Sequence, residues 1–119
     1  MVRGLKQRLA RRSDQPANHV KGADMTRIGV LADTHLRSRK PSIPAAVLRG
    51  LQGVDLILHA GDICCASVLK LLGDIAPVVA VHGNVDPPDL QSALPADRVV
   101  NCDNVCIGLT HGHLGTRRT

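Results

Sequence analysis

Ile28-Gly29-Val30-Leu31-Ala32-Asp33-Thr34-His35 passes within eight positions from an uncharged apolar run to an acid, a hydroxyl and an imidazole. A short run rich in β-branched residues reads as a strand apolar on both faces, the pattern of a parallel sheet. The same pattern recurs at Val54 to Ala60, which runs into Gly61-Asp62, and at Val78 to His82, which runs into Gly83-Asn84-Val85-Asp86. Arg98 to Asn101 and Val105 to Thr110 read as two further strands, the second ending at His111-Gly112-His113. Between the first two strands Ile43, Val47, Leu48 and Leu51 share one helical face, and Pro44 suits a first helical turn. Between the second and third, Cys64, Val68, Leu71 and Leu72 repeat with helical spacing and Gly73 supplies the stop. The order β-α-β-α-β followed by β-β predicts an α/β fold with parallel crossovers at its start.

Ligands of parallel α/β sheets bind beyond the carboxyl ends of the strands, so the four polar clusters should converge there. One site then collects Asp33, His35, Asp62, Asn84 and His111. Residues i and i+2 of an extended segment point the same way, which would let Asp33 and His35 serve one centre. The glycines before Asp62 and Asn84 permit close backbone approach. Taken singly, an aspartate at a strand end ordinarily caps a turn and a lone histidine ordinarily has no ligand role. Taken together, carboxylate, imidazole and amide oxygen without thiolate form a ligand set for manganese, iron, zinc, nickel or magnesium. Their number exceeds the needs of one ion and points to two divalent ions, with Asp62 of the middle cluster as the bridge. Such a pair can activate a bridging hydroxide and clamp the oxygens of a phosphoryl centre.

The rest of the chain narrows the classes of function. With 119 residues, 44% hydrophobic and 21% charged, it has room for one domain. It contains no Phe, Tyr or Trp, so the core must be aliphatic and base-stacking nucleic-acid modules are disfavoured. All ten acidic residues are aspartates. Residues 1–25 hold six of the fifteen basic side chains and two of the ten acids, and thus +4 of the formal charge of +5. The remainder is nearly neutral, which gives no field-based reason to expect nucleic acid. Residues 1–25 are expected to be a disordered or loosely attached basic extension, and 26–119 the domain. Cys64, Cys65, Cys102 and Cys106 match neither zinc-knuckle nor secreted-disulfide spacing and read as reduced, mostly buried thiols. No stretch reaches the ~20 apolar residues that span a bilayer, and the expected location is the cytoplasm, without membrane partners.

From residue 27 to about 115 the sequence resembles the calcineurin-like metallophosphoesterases, above all their small bacterial and archaeal phosphodiesterase branch. The motifs that carry the likeness are Gly29 to His35, His59-Ala60-Gly61-Asp62-Ile63, Val81-His82-Gly83-Asn84-Val85-Asp86 and Leu109-Thr110-His111-Gly112-His113. The resemblance implies two β-sheets sandwiched between helices in four layers, αββα, and a metal-dependent phosphoesterase acting on a small phosphoester. It also implies that Asp33 and His35 hold a first metal, manganese being the first choice, that Asp62 bridges, and that Asn84 and His111 hold a second. His113 and Asp86 would support the site or face the substrate in a catalytic role, while His59 and Cys64 would be structural. Val85 occupies a position where the broader family often has a catalytic histidine. Family members continue to a Gly-His-x-His motif, and Gly115-Thr116-Arg117-Arg118 holds nothing comparable, so the domain reads as C-terminally incomplete. A phosphoesterase-like subunit of the retromer coat resembles the same fold, and a catalytically inactive, protein-binding scaffold is therefore the competing expectation.

Overall fold

The computed structural model describes residues 25–38 and 40–114. The expectations for residues 1–24 and for the last five residues lie outside the described residues. β1 (Ile28–Leu31), β2 (Leu56–His59) and β3 (Val78–Ala80) form a parallel sheet in the order β1-β2-β3, with Ile28 opposite Leu56 and Ile57 opposite Val78. α1 (Ala45–Gly50) joins β1 to β2 and α2 (Ala66–Gly73) joins β2 to β3. β4 (Asp97–Cys102) and β5 (Val105–Thr110) form a separate antiparallel hairpin. Asp103 and Asn104 turn it with φ of 48° and 69°, the two left-handed residues that a type I′ turn needs to match strand twist.

A third helix, α3 (Pro88–Ala93), was not expected. Its signals are short: Pro88 in the first turn, Asp89 at the positive end of the helix dipole, and Leu90 and Leu94 one turn apart. Six residues give too little periodicity to stand out from a loop.

Alternation along the central strands separates two cores. Ile57, Val78 and Ala80 pack with Val68, Leu72, Leu90, Leu94 and Leu51 on the helical side. Leu56, Leu58, Val79 and Val81 pack with Val100 and Leu109 of the hairpin on the other. Helices, parallel sheet and hairpin thus make three of the four expected layers among the described residues. Among the described residues every buried hydrophobic side chain is Leu, Ile, Val or Ala, in keeping with the expected aliphatic core. Each such side chain contributes roughly 1.5–3 kcal/mol when fully withdrawn from water.

Two expectations need correction. β1 is not buried on both faces: Val30 pairs with Leu58 on the hairpin side of the sheet but lies outside the cluster the hairpin covers and is 64% exposed, while β2 is buried along its whole length. The four cysteines form no disulfide, and they are not mostly buried, since Cys64, Cys65 and Cys102 are half-buried and Cys106 is exposed.

Candidate metal centre

The parallel sheet brings three of the polar clusters to one edge, and the end of β5 supplies the fourth. The backbone ties the first two together, with the amides of Asp33 and His35 donating to the carbonyls of Gly61 and Asp62 at 2.9 and 3.0 Å. Asp33 and His35 do not share a face by extended alternation. Both take left-handed conformations, φ 56° and 48°, and that turn brings their side chains together, with Asp33 Oδ1 3.6 Å from His35 Nε2. Asp62 and Cys64 are left-handed too, at 59° and 73°. Left-handed non-glycine residues cost of order 1 kcal/mol or more each, persist where the surrounding structure over-determines the backbone, and cluster at functional sites.

Asp62 lies at the centre of the arrangement and is only 5% exposed. Its Oδ2 is 3.4 Å from His35 Nε2 and 3.3 Å from His111 Nε2, and its Oδ1 accepts the Val85 amide at 3.1 Å. Asp33, Asp62 and His111 offer ligand atoms that all lie within 4.8 Å of one another. His111 Nδ1 donates to the Ala60 carbonyl at 2.8 Å, which in the neutral ring turns the Nε2 lone pair toward Asp62 and toward Asn84 Oδ1 at 3.1 Å. In that tautomer three electron-pair donors face one another, and a cation held among them would satisfy all three. The chemistry of these donors, carboxylate, imidazole and amide oxygen without thiolate, fits a divalent ion such as manganese or zinc, and Asp33, Asp62 and His111 are close enough together to share one.

Two glycines make room for this. Gly61 has φ 107°, and a Cβ there would lie 2.8 Å from both the Gly83 nitrogen and His111 Nδ1. At Gly83 the obstacle is Asp62 itself, whose nitrogen and Cγ would lie 2.6 and 2.8 Å from an added Cβ.

Asp86 stands differently from one of its expected roles. It is 3% exposed, and both carboxylate oxygens accept backbone amides, so it does not face a substrate; the supporting role is the one its position allows. His113 lies with its ring centroid 5.4 Å from those of His111 and of His82, a histidine to which the sequence reading gave no role. Its Nδ1 is buried without a hydrogen-bond partner.

His59 is fully buried, with Gly61 N–H donating to its Nδ1 at 3.2 Å, so Nε2 carries the ring proton and donates to Thr34 Oγ1 at 3.1 Å. It thereby fastens the turn that carries Asp33 and His35 to the turn that carries Asp62. Burial lowers its pKa from 6.5 to about 4, against the opposing pull of Asp86, Asp33 and Asp62. The unfolded chain takes up this proton near pH 6.5 and the folded chain only near pH 4, so the stability due to neutral His59 is present above that window and lost as pH falls through it. The loss should total roughly 3 kcal/mol. Denaturant midpoints measured between pH 7 and 4 should show it, and His59→Asn should flatten the slope; an unchanged slope would contradict a buried neutral imidazole.

The sequence profile of the calcineurin-like phosphoesterase superfamily domain matches residues 26–119. The chain belongs to that superfamily. A probable metallophosphoesterase from Methanocaldococcus jannaschii is 41% identical over 85 residues, covering 71% of this chain and 42% of the relative. Another, from Methanothermobacter thermautotrophicus, is 39% identical over 90 residues, covering 76% of this chain and 52% of the relative. This phosphoesterase domain therefore spans about half the length of the curated relatives it matches. Vps29 from Entamoeba histolytica, solved in complex with zinc, is 28% identical with a TM-score of 0.59, covering 73% of this chain and 48% of that one. Vps29 from Chaetomium thermophilum shares the fold at 24% identity, with a TM-score of 0.62 over 72% of this chain and 46% of that one. No helix among the described residues is long and apolar enough to cross a membrane.

Proposed function

We propose that this phosphoesterase domain is the metal-holding part of a hydrolase acting on small phosphoesters, phosphodiesters first among them. The observation that carries the reading is the placement of Asp62 Oδ2, within 3.4 Å of Nε2 of both His35 and His111. Divalent ions held there, manganese before iron, zinc, nickel or magnesium, would supply a nucleophile from water at neutral pH and offset charge on the phosphoryl oxygens. The chain's own residues have the remaining tasks. Asp33, His35, Asp62, Asn84 and His111 bind and orient, and their neighbours Gly61 and Gly83 keep the backbone close. His113 is the proposed source of a proton for the leaving group. His59 has both nitrogens engaged and Val85 has no ionisable group, which leaves His113 as the imidazole next to His111 outside the ligand set. An aryl phosphodiester, whose leaving group needs little protonation, is the substrate expected to react most readily.

The test is hydrolysis of such a diester with and without manganese and chelator. Weak turnover that requires manganese and disappears with chelator is expected, because only about three of these side chains serve each ion. Chelator-resistant turnover would overturn the reading. Inactivity toward a broad phosphoester panel would favour the second reading, a protein-binding scaffold, which the exposed apolar side chains Val30, Val99 and Val105 also favour.

A further inference from the structure

We propose that Asp86 is a positioning residue that clasps together two of the loops carrying the metal ligands, an inference that rests on the metal centre proposed above. Its Oδ2 accepts the amides of Asp62 at 3.0 Å and of Gly83 at 2.8 Å, and its Oδ1 accepts the amide of Cys64 at 2.7 Å. One side chain thus joins the loop that ends β2 to the loop that ends β3. Asp62 closes the clasp from the other side, its Oδ1 accepting the amide of Val85. The Asp86 carbonyl is held in turn by the Gln91 side chain of α3 at 2.6 Å, which ties the clasp to that helix.

The chemistry calls for a carboxylate. The left-handed turns at Asp62 and Cys64 aim alternate amides into one concavity, an arrangement of N–H groups that receives an anion. Here the anion is the chain's own. Bonds to an ionised acceptor are shorter and roughly twice as strong as neutral ones, which suits backbone held in an unfavourable conformation. All three partners are donors, so an amide in place of the carboxylate would set its NH2 against at least one of them. The clasp fixes the backbone of Asp62, and with it the direction from which that carboxylate reaches both His35 and His111. It also fixes Gly83, the residue before Asn84. Groups that orient metal ligands without touching the metal typically account for about 10–100-fold in affinity.

The experiment compares the full chain with Asp86→Asn, which conserves shape, using manganese alone as the probe. Calorimetric titration should show affinity falling about 10–100-fold in the variant, and electron paramagnetic resonance should show loss of spin coupling between the ions. Amide exchange on the metal-free chain should show lost protection at Asp62, Cys64 and Gly83. Ile57→Val, a core change on β2 that removes none of the hydrogen bonds of the clasp, serves as a control for destabilisation and should leave manganese affinity unchanged. Equal weakening by Ile57→Val, or wild-type affinity and exchange in Asp86→Asn, would overturn the clasp. A wild-type chain that takes up no manganese would instead overturn the metal-centre reading on which the clasp depends, so the two failures are distinct.

Discussion

Asp62→Ala should abolish manganese binding on both sides of the centre, whereas Asp33→Ala should leave about half of it. The asymmetry follows from position. Asp62 Oδ2 lies 3.4 Å from His35 Nε2 and 3.3 Å from His111 Nε2, so its removal takes one of three donors from each ion. Asp33 approaches only the His35 side, at 3.6 Å, and is the more exposed of the two carboxylates. The loss at Asp62 should exceed the roughly 10–100-fold typical of residues that merely orient ligands, because a coordinating atom goes as well. Elemental analysis after gel filtration at micromolar manganese would count the ions retained. Equal or reversed losses in the two variants would refute the bridging position.

The strands were legible in the sequence because burial on both faces of a parallel strand writes an apolar run that little else imitates. Leu56, Ile57 and Leu58 of β2 have at most 3% exposure, and the run from Val54 to Ala60 announced them. Val30 misled for the same reason. A single-chain pattern shows that a residue is apolar and cannot show whether anything covers it, and the hairpin-side cluster does not extend to Val30. The six-residue α3 was missed since its signature is two prolines and two leucines rather than a repeat.

The site was legible for a different reason. Asp33, His35, Asp62 and Asn84 follow strands of the parallel sheet, whose topology forces those ends together, whereas His111 ends β5 of the separate hairpin and reaches Asp62 because the hairpin packs on that sheet. What holds the ligands in place was not legible. The left-handed turn from Asp33 to His35, the bond from His59 to Thr34, and the three amides on Asp86 all depend on backbone direction within loops, which residue type alone does not specify. Asp86 shows the difficulty well. An acid two positions after Asn84 invites a role facing substrate, and only the burial of both its oxygens turns it inward.

Gly83→Ala should cost the site more than its single added methyl suggests. The new Cβ would sit 2.6 Å from the Asp62 nitrogen and 2.8 Å from its Cγ, closer than any carbon can rest against backbone. Neither side can yield freely. The amides of Gly83 and Asp62 both bond to Asp86 Oδ2, at 2.8 and 3.0 Å, so spreading the two loops breaks at least one of these bonds, and swinging the Asp62 carboxylate away removes it from both histidines. Overpacking of this kind typically costs about 1–3 kcal/mol of stability, and here the strain falls on the bridging ligand itself. Manganese binding should therefore fall on both sides together, by at least as much as in Asp86→Asn. The comparison that isolates the contact is Gly50→Ala. Gly50 ends α1 with nothing within 4 Å of where its Cβ would be. The same change there should be neutral or stabilise by up to about 1 kcal/mol, because alanine forfeits less chain entropy in a helix. Thermal melts and manganese titrations on the two variants would read both effects. Wild-type manganese affinity in Gly83→Ala would mean that the loops are looser than their packing implies, and the close approach of Gly83 to Asp62 would lose its place in the account of the site.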